Sequence, residues 1–193
     1  MSSRDKILAA VKANQPELIE IPVVNIPQSD EGLVERFTTI ASAIGSKVVE
    51  IASLEEIKEY VATHFDVQSR IISSFSDLAA IAETNISEFD PHELENVDLA
   101  ILKAEIAVAE NGALWVPEGN TMQRVLPFIT QHLALVVSKN ALVPTMHQAY
   151  EVIGNKEYGY SAFIAGPSKT ADIEQSLVLG AHGPRSMVVF LLK

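Results

Sequence analysis

Residues 160–192, YSAFIAGPSKTADIEQSLVLGAHGPRSMVVFLL, contain the pattern on which the expected architecture rests. The apolar run at 160–165 predicts a β-strand, and Gly166-Pro167 directly after it predicts a tight turn. The spacing of apolar residues then predicts a helix from Thr170 to Leu179, before a last apolar strand at 187–192. Strand, turn, helix and strand in succession are typical of an α/β protein.

The predicted turn after residue 165 is a candidate anion site. Backbone N–H groups at the start of a helix lack partners within the helix, and the helix dipole favours a negative ligand there. The side chains after the turn add hydroxyl donors, one ammonium and two carboxylates. Ordinary helix capping accounts for the same residue types, so it stands as the alternative. The candidate ligand-binding residues of this segment are Gly166, Ser168, Lys169, Thr170 and Glu174, and Asp172 is a candidate catalytic residue.

A second motif, GAHGP at 180–184, follows the predicted helix and contains His182. Glycines on both sides fix the backbone direction at this histidine. His182 is therefore the best candidate among the five histidines for proton transfer or for hydrogen bonding to an anionic ligand. The alternative is a structural histidine bonded to the backbone of its turn. No metal site is predicted, because the spacing of the other four does not resemble one: His64, His92, His132 and His147.

The rest of the chain repeats the alternation of short apolar strands and amphipathic helices. Near-continuous apolar strands of this kind indicate a mostly parallel sheet covered on both faces. We therefore predict a three-layer α/β fold with helices on both faces of the sheet. The other predicted strands are 48–51, 70–73, 99–102, 114–116 and 133–137, and the other predicted helices are 3–13, 30–44, 53–65 and 142–153.

The first thirty residues are predicted to differ from the α/β domain at 31–193. Residues 3–13 have an amphipathic pattern with Ile7, Leu8 and Val11 on one face, and the segment after them contains three prolines. We expect a short helix followed by an extended arm. The arm either packs along its own domain or reaches a partner subunit of a homo-oligomer, and the sequence does not decide between these.

Glu105 is a second candidate catalytic residue, because it follows the buried strand at 99–102. Ligands in open α/β sheets lie beyond the carboxyl ends of strands, where a carboxylate acts as a base or a nucleophile. A surface glutamate at a strand end is the alternative. Asn111-Gly112, shortly after it, predicts either a two-residue hairpin turn or a one-turn helix that ends at a left-handed Gly112. Asn111 itself is a candidate binding residue or a turn residue.

Composition excludes several classes of protein. The 193 residues carry a net charge of −11, and no basic patch offsets it, so a nucleic-acid partner is not expected. No apolar run is long enough to cross a bilayer, and the first residues do not resemble a signal peptide. There is no cysteine, which excludes cysteine-ligated iron–sulfur or zinc sites within this chain. A cytoplasmic protein without a cofactor of its own is the simplest expectation.

The two C-terminal motifs, GPSKTADIE at 166–174 and GAHGP at 180–184, closely resemble the signature of the lactate-utilisation C or LUD-domain family. AEIAVAENGA at 104–113 resembles the middle motif of that family, with Asn111 and Ala113 in place of two threonines. The resemblance implies a fold shared with ribose-phosphate isomerases, glucosamine-phosphate deaminases and CoA transferases. In that layout Glu105 takes the place of a carboxylate that follows a central strand, and the one-turn helix that ends at Gly112 is favoured over the hairpin.

The resemblance also implies a function, namely a part in the oxidation of L-lactate to pyruvate by a multi-subunit cytoplasmic system. The implied partners are cysteine-rich iron–sulfur subunits, so this chain would be an accessory or substrate-handling subunit with an anionic small-molecule ligand. Whether it is itself catalytic stays open. The alternatives are a stand-alone isomerase or CoA-transferase-like enzyme acting through Glu105, and a non-catalytic sensor of small molecules.

Overall fold

The structure, a computed structural model, describes residues 2–20, 22, 29, 31–86, 88–171 and 177–193. Within these residues the chain forms five α-helices and eleven β-strands, joined by short 3₁₀ turns. The helices are α1 (Ser3–Ala13), α2 (Leu33–Ala43), α3 (Glu55–His64), α4 (Leu126–Ile129) and α5 (Met146–Ile153). The strands are β1 (Ser46–Ile51), β2 (Ile71–Ser73), β3 (Leu99–Lys103), β4 (Ile106–Val108), β5 (Leu114–Pro117), β6 (His132–Ser138), β7 (Leu142–Val143), β8 (Ser161–Ile164), β9 (Lys169–Ala171), β10 (Leu177–Leu179) and β11 (Ser186–Leu192).

The centre of the molecule is a five-stranded sheet in the order β1-β11-β6-β3-β2, and every neighbouring pair in it is parallel. β11 lies between β1 and β6, so that Val189 is in register with Val48 on one side and Leu135 on the other. All seven predicted strands are present within a residue or two of their expected ends. The mostly parallel α/β sheet predicted from the sequence is therefore confirmed.

The two faces of this sheet pack against different layers, because side chains alternate along each strand. On one face, Ile101 of β3 packs with Ile57 and Val61 of α3. On the other face, Leu102 packs with Phe37 of α2. Part of this second covering layer is itself a sheet, a feature that the sequence analysis did not anticipate.

The second sheet has four strands in the order β7-β4-β5-β8. β7 explains why the helix predicted from residue 142 begins only at Met146, since residues 142–143 pair with β4. β4 and β5 form an antiparallel hairpin, and its loop contains the one helical turn favoured by the family resemblance, because the Gly112 N–H donates to the Val108 carbonyl over 2.9 Å. The turn is longer than two residues, because the Val108 N–H donates to the Ala113 carbonyl over 2.8 Å. Gly112 does adopt the left-handed conformation, with φ of 71°.

The helix predicted from Thr170 to Leu179 is wrong. Residues 169–171 and 177–179 are β9 and β10, which pair antiparallel with Thr170 opposite Val178. A short apolar run does not distinguish helix from strand by periodicity alone, and the pairing of the two ends decides for strand here. Asp172 and Glu174, two predicted site residues, lie outside the described residues.

α1 begins and ends at the predicted residues, but none of its side chains is buried. Residues 14–20 after it are exposed as well. Of the described helices, none is long and apolar enough to cross a lipid bilayer.

Candidate functional site

The two C-terminal motifs meet at one cleft of about 310 Å³, here called the Ser168–His182 cleft. Four of the predicted site residues line it: Gly166, Ser168, Lys169 and His182. Its apolar part comes from two other segments, with Pro127 and Phe128 on α4 and Phe163 and Ile164 on β8.

Backbone hydrogen bonds hold the two motifs together. The Ser168 N–H donates to the Pro184 carbonyl over 2.9 Å, and the Gly180 N–H donates to the Ser168 carbonyl over 3.0 Å. The second motif is fixed in turn to the central sheet, because the Arg185 N–H donates to the Gln131 carbonyl over 2.8 Å, just before β6. The relative positions of Ser168 and His182 therefore depend on the backbone, independently of their side-chain rotamers.

Gly166 allows the first motif to approach the end of α2. Its φ of 78° is in the left-handed region, and a Cβ at this position would lie 2.8 Å from the carbonyl oxygen of Ile44. The left-handed backbone and the short distance both make any residue with a side chain unfavourable at position 166. Ile44 is the C-terminal cap of α2, so this helix end forms the support on which the cleft is built.

The Lys169 ammonium lies at the same helix end. A Cβ built on Gly45 would lie 3.4 Å from the Lys169 Nζ. The negative end of a helix dipole favours a cation at this position, which holds the ammonium near the cleft. Among the described residues, no carboxylate forms an ion pair with Lys169. Lys169 and His182 are exposed and Ser168 is half-buried, so a ligand can reach all three.

The physical basis of the cleft differs from the predicted one. The described residues after Pro167 begin a strand and not a helix, so the expected helix N-terminus with its unpaired N–H groups and dipole is not found among them. The Ser168 N–H is already bonded to Pro184. Three residues that line the cleft have side chains able to donate hydrogen bonds: Ser168, Lys169 and His182. Thr170 does not line the cleft and belongs to the β9–β10 ladder.

Glu105 lies elsewhere, in a separate cleft of about 320 Å³ that also contains Trp115 and Lys156. Its carboxylate is 3.5 Å from the Lys156 Nζ and accepts a hydrogen bond from the Asn120 side chain over 3.4 Å. Lys156 also lies 5.6 Å from the Trp115 ring. Glu105 and His182 therefore line different clefts.

Asn111 is an exposed turn residue in the structure. Its side-chain oxygen accepts a hydrogen bond from the Ala113 N–H over 3.0 Å, which stabilises the β4–β5 turn. It does not line the Ser168–His182 cleft. The turn interpretation accounts for Asn111.

A third cleft, of about 400 Å³, was missed by the sequence analysis. His132 lies in it, with its Nδ1 atom 2.7 Å from the Ser186 hydroxyl and its ring edge-to-face with Phe65. Burial lowers the pKa of His132, the positive charge of Arg185 lowers it further, and Asp98 opposes both. The residues that line this third cleft come from distant segments of the chain, so no local sequence motif could have indicated the cleft. Among the described residues, no group of three or more histidine, aspartate or glutamate side chains could hold a metal ion.

Comparison with known proteins identifies relatives. A family model described as LUD domain matches residues 64–192. A lactate utilization protein C of Geobacillus sp. (strain WCH70) is 35% identical over 96 residues, which cover 47% of this chain and 40% of that protein. A protein of the same name from Exiguobacterium sp. is 27% identical over 174 residues, covering 81% of this chain and 76% of its own. The chain thus spans well under half of the Geobacillus relative.

One solved structure has a similar fold. The crystal structure of a duf162 family protein from Deinococcus radiodurans superimposes with a TM-score of 0.66 at 14% identity. The match covers 86% of this chain and 100% of that one. At this level of identity the similarity concerns the fold alone.

Proposed function

Because the chain belongs to the LUD domain family, we propose that it is a subunit of an L-lactate utilisation system, and that its Ser168–His182 cleft binds a small carboxylate. Lactate is the proposed substrate because several relatives are named lactate utilization protein C. The cleft is the proposed site because both C-terminal motifs meet there, joined by the Ser168–Pro184 hydrogen bond.

The cleft offers the groups that a 2-hydroxy acid requires. The Lys169 ammonium is a positive charge for a carboxylate, and the Ser168 hydroxyl and His182 imidazole can bond the remaining carboxylate oxygen and the 2-hydroxyl. Phe128 and Phe163 supply an apolar wall against which a methyl group can pack. At about 310 Å³ the cleft is small, which favours a short acid over a bulky one.

The chain would handle substrate for redox partners. Conversion of lactate to pyruvate removes two electrons and two protons, and the electrons need an acceptor. The chain has no cysteine with which to hold an iron–sulfur cluster. We therefore assign the removal of the C2 hydrogen and of the two electrons to cysteine-rich iron–sulfur subunits that assemble with this chain, and to His182 the acceptance of the hydroxyl proton.

Ligand binding tests the assignment of the cleft. A ligand bound only by the folded state at ten times its Kd adds about 1.4 kcal/mol to the free energy of unfolding, or about 3–6 °C in Tm for a chain of this size. L-Lactate should give such a shift, and the uncharged lactamide should not. Lys169→Gln and His182→Gln should each require at least tenfold more lactate to reach the same rise in Tm.

The control for these variants is Lys103→Gln, which removes an exposed lysine from the carboxyl end of β3. It should leave the lactate shift unchanged. An equal shift with lactate in wild type and Lys169→Gln would exclude the cleft as the lactate site.

Growth on lactate tests the assignment of the process. A strain deleted for its own lactate utilization protein C should grow on L-lactate when it carries this chain, and should grow poorly with Lys169→Gln. A normal growth yield on glucose with every variant provides the control. No rescue by the wild-type chain, although it is expressed, would count against a role in lactate utilisation.

A second candidate function concerns the Glu105 cleft. Glu105 is partly exposed there, next to a lysine and two aromatic rings, Trp115 and Tyr158. This arrangement supports a stand-alone enzyme of the isomerase or CoA-transferase type. A screen of sugar phosphates and acyl-CoA compounds should then show turnover that Glu105→Gln abolishes. Stabilisation by an anionic metabolite with no turnover and no effect on growth would instead indicate a sensor.

A further inference from the structure

The apolar face of α1 has no partner among the described residues. Ile7, Leu8 and Val11 lie on one side of the helix and are 63%, 52% and 58% exposed. The helix is nevertheless well capped, because the Ser2 hydroxyl accepts from the Asp5 N–H and the Asp5 carboxylate accepts from the Ser2 N–H. A helix of eleven residues is marginal in water without packing against something. A capped helix with an exposed apolar face is typical of a docking element.

The body of the protein has an apolar groove of about 390 Å³ between α3 and the β2 edge of the central sheet. Val61 and Ile71 are almost fully buried and form its floor. Val67 stands at its rim and is 99% exposed. The remaining apolar side chains of the groove are Ala62, Phe65, Ala80 and Ile81.

Charge favours α1 as the occupant of this groove. α1 carries Arg4, Lys6 and Lys12 against the single acid Asp5, although the whole chain has a net charge of −11. The groove is lined by Asp66 and by Lys58, and Lys58 is paired with Glu55 over 2.6 Å. Glu59 is a further exposed acid on the same helix, so three acids and one base give this wall a net negative charge. A basic amphipathic helix and an apolar groove with acidic side chains on its wall are complementary in both respects.

We propose that α1 of one chain docks in the α3–β2 groove of a second copy, with Ile7, Leu8 and Val11 facing Val61, Val67 and Ile71. The connection between helix and body, residues 15–32, is long enough: at about 3.3–3.6 Å per extended residue it reaches about 60 Å. The exchange is reciprocal, so two identical contacts form around a two-fold axis. In the structure α1 is not docked in its own groove, which leaves both surfaces open to a partner copy.

The chain has no cysteine, so introduced cysteines report directly on this contact. A Leu8→Cys chain is mixed with a Val67→Cys chain and oxidised gently. A disulfide-linked product at twice the 21.0 kDa chain mass is expected. Leu8→Cys mixed with Val152→Cys is the control, since Val152 is an exposed valine on α5 that lies outside the groove, although it is less exposed than Val67 (51% against 99%). That mixture should give at least tenfold less product.

The double variant Leu8→Cys/Val67→Cys separates exchange between chains from docking within one chain. Cross-linked dimer should dominate at micromolar concentrations. An internal disulfide in a monomer, or equal product with Val67→Cys and Val152→Cys, would overturn the proposal.

Sedimentation equilibrium provides an independent measurement on chains without cysteine. The wild type should be dimeric at tens of micromolar. Ile7→Asp/Leu8→Asp/Val11→Asp should weaken dimerisation at least tenfold. Its unfolding midpoint should equal that of the wild type when both are diluted until they are monomeric, because all three side chains are exposed in the single chain. A wild type that is monomeric but binds phosphatidylserine vesicles through α1 would show that the helix docks on membranes instead, and would refute the exchange.

Discussion

Replacing Gly166 with alanine should reduce the free energy of unfolding by about 2–5 kcal/mol. Gly166 has a φ of 78°, and a left-handed backbone costs a residue with a side chain about 1–2 kcal/mol. The added methyl group would also lie 2.8 Å from the Ile44 carbonyl oxygen, closer than normal contact. Relief of such overpacking by backbone movement typically costs about 1–3 kcal/mol. The two terms together give the expected loss.

Equilibrium unfolding in urea measures this difference, and Gly119→Ala is the matched control. Gly119 has no positive φ and no atom within 4 Å of its would-be Cβ. Alanine there should change the free energy of unfolding by less than about 1 kcal/mol, and in the stabilising direction if the backbone accepts it. The same experiment reports on the cleft, because movement at Gly166 displaces Ser168 and Lys169.

A Gly166→Ala variant that unfolds within 0.5 kcal/mol of wild type, on the order of the effect of an ordinary surface substitution, would refute this reasoning. It would mean that the first motif is not held against the end of α2. The geometry inferred for the Ser168–His182 cleft would then need revision as well.

Phe37→Ala should lower the free energy of unfolding in urea by about 3–5 kcal/mol, because Phe37 is fully buried between α2 and the central sheet. A loss below about 1 kcal/mol would contradict that packing. Arg70→Gln should lower the free energy of unfolding by about 1–3 kcal/mol. The reason is that the Arg70 guanidinium donates to Glu83 over 2.8 Å and to the Glu93 carbonyl. Faster hydrogen exchange at residues 88–96 would show the loss of these bonds. His132 has a lowered pKa, so the unfolded chain binds protons more readily. Stability should therefore fall as the pH drops below the unfolded value of 6.5 and level off below the folded pKa, and His132→Gln should flatten this slope in urea titrations from pH 8 to pH 5.

The central sheet could be predicted from the sequence because its strands are buried on both faces. Such strands appear as short continuous apolar runs, as at Leu99–Lys103 and Ser186–Leu192, wherever they occur in the chain. Their order was not predictable. Nothing local in β11 indicates that it lies between β1 and β6, since that order depends on packing between distant segments.

Both antiparallel hairpins were assigned less well. Asn111-Gly112 left a hairpin turn and a one-turn helix open, and the structure contains both, a hairpin whose loop includes one helical turn ending at Gly112. At Lys169–Ala171 the ladder to Leu177–Leu179 is formed by backbone bonds between the two segments, which residue spacing does not reveal. The helix predicted there also supplied a wrong physical reason for anion binding.

Only part of the candidate site could be predicted, because a motif resemblance identifies residues but does not say how far apart they lie in the fold. Gly166, Ser168, Lys169 and His182 lie at one cleft, as the proximity of the two motifs in sequence suggested. Glu105 does not, because it lies beyond the carboxyl end of β3, whereas His182 precedes the amino end of β11. Two ends of one parallel sheet cannot contribute to the same small cleft.

The position of β11 between β1 and β6 has a consequence for synthesis on the ribosome. Ser46 of β1 pairs with Met187, so β1 leaves the exit tunnel long before its neighbour has been translated. Until then the nascent chain has an unpaired strand edge and the apolar side chains of Val48 and Ile51 without their cover. Pairings of such long sequence separation form slowly and leave the chain prone to aggregation. A chaperone that shields this early segment should therefore raise the yield of folded protein more than one that acts after release.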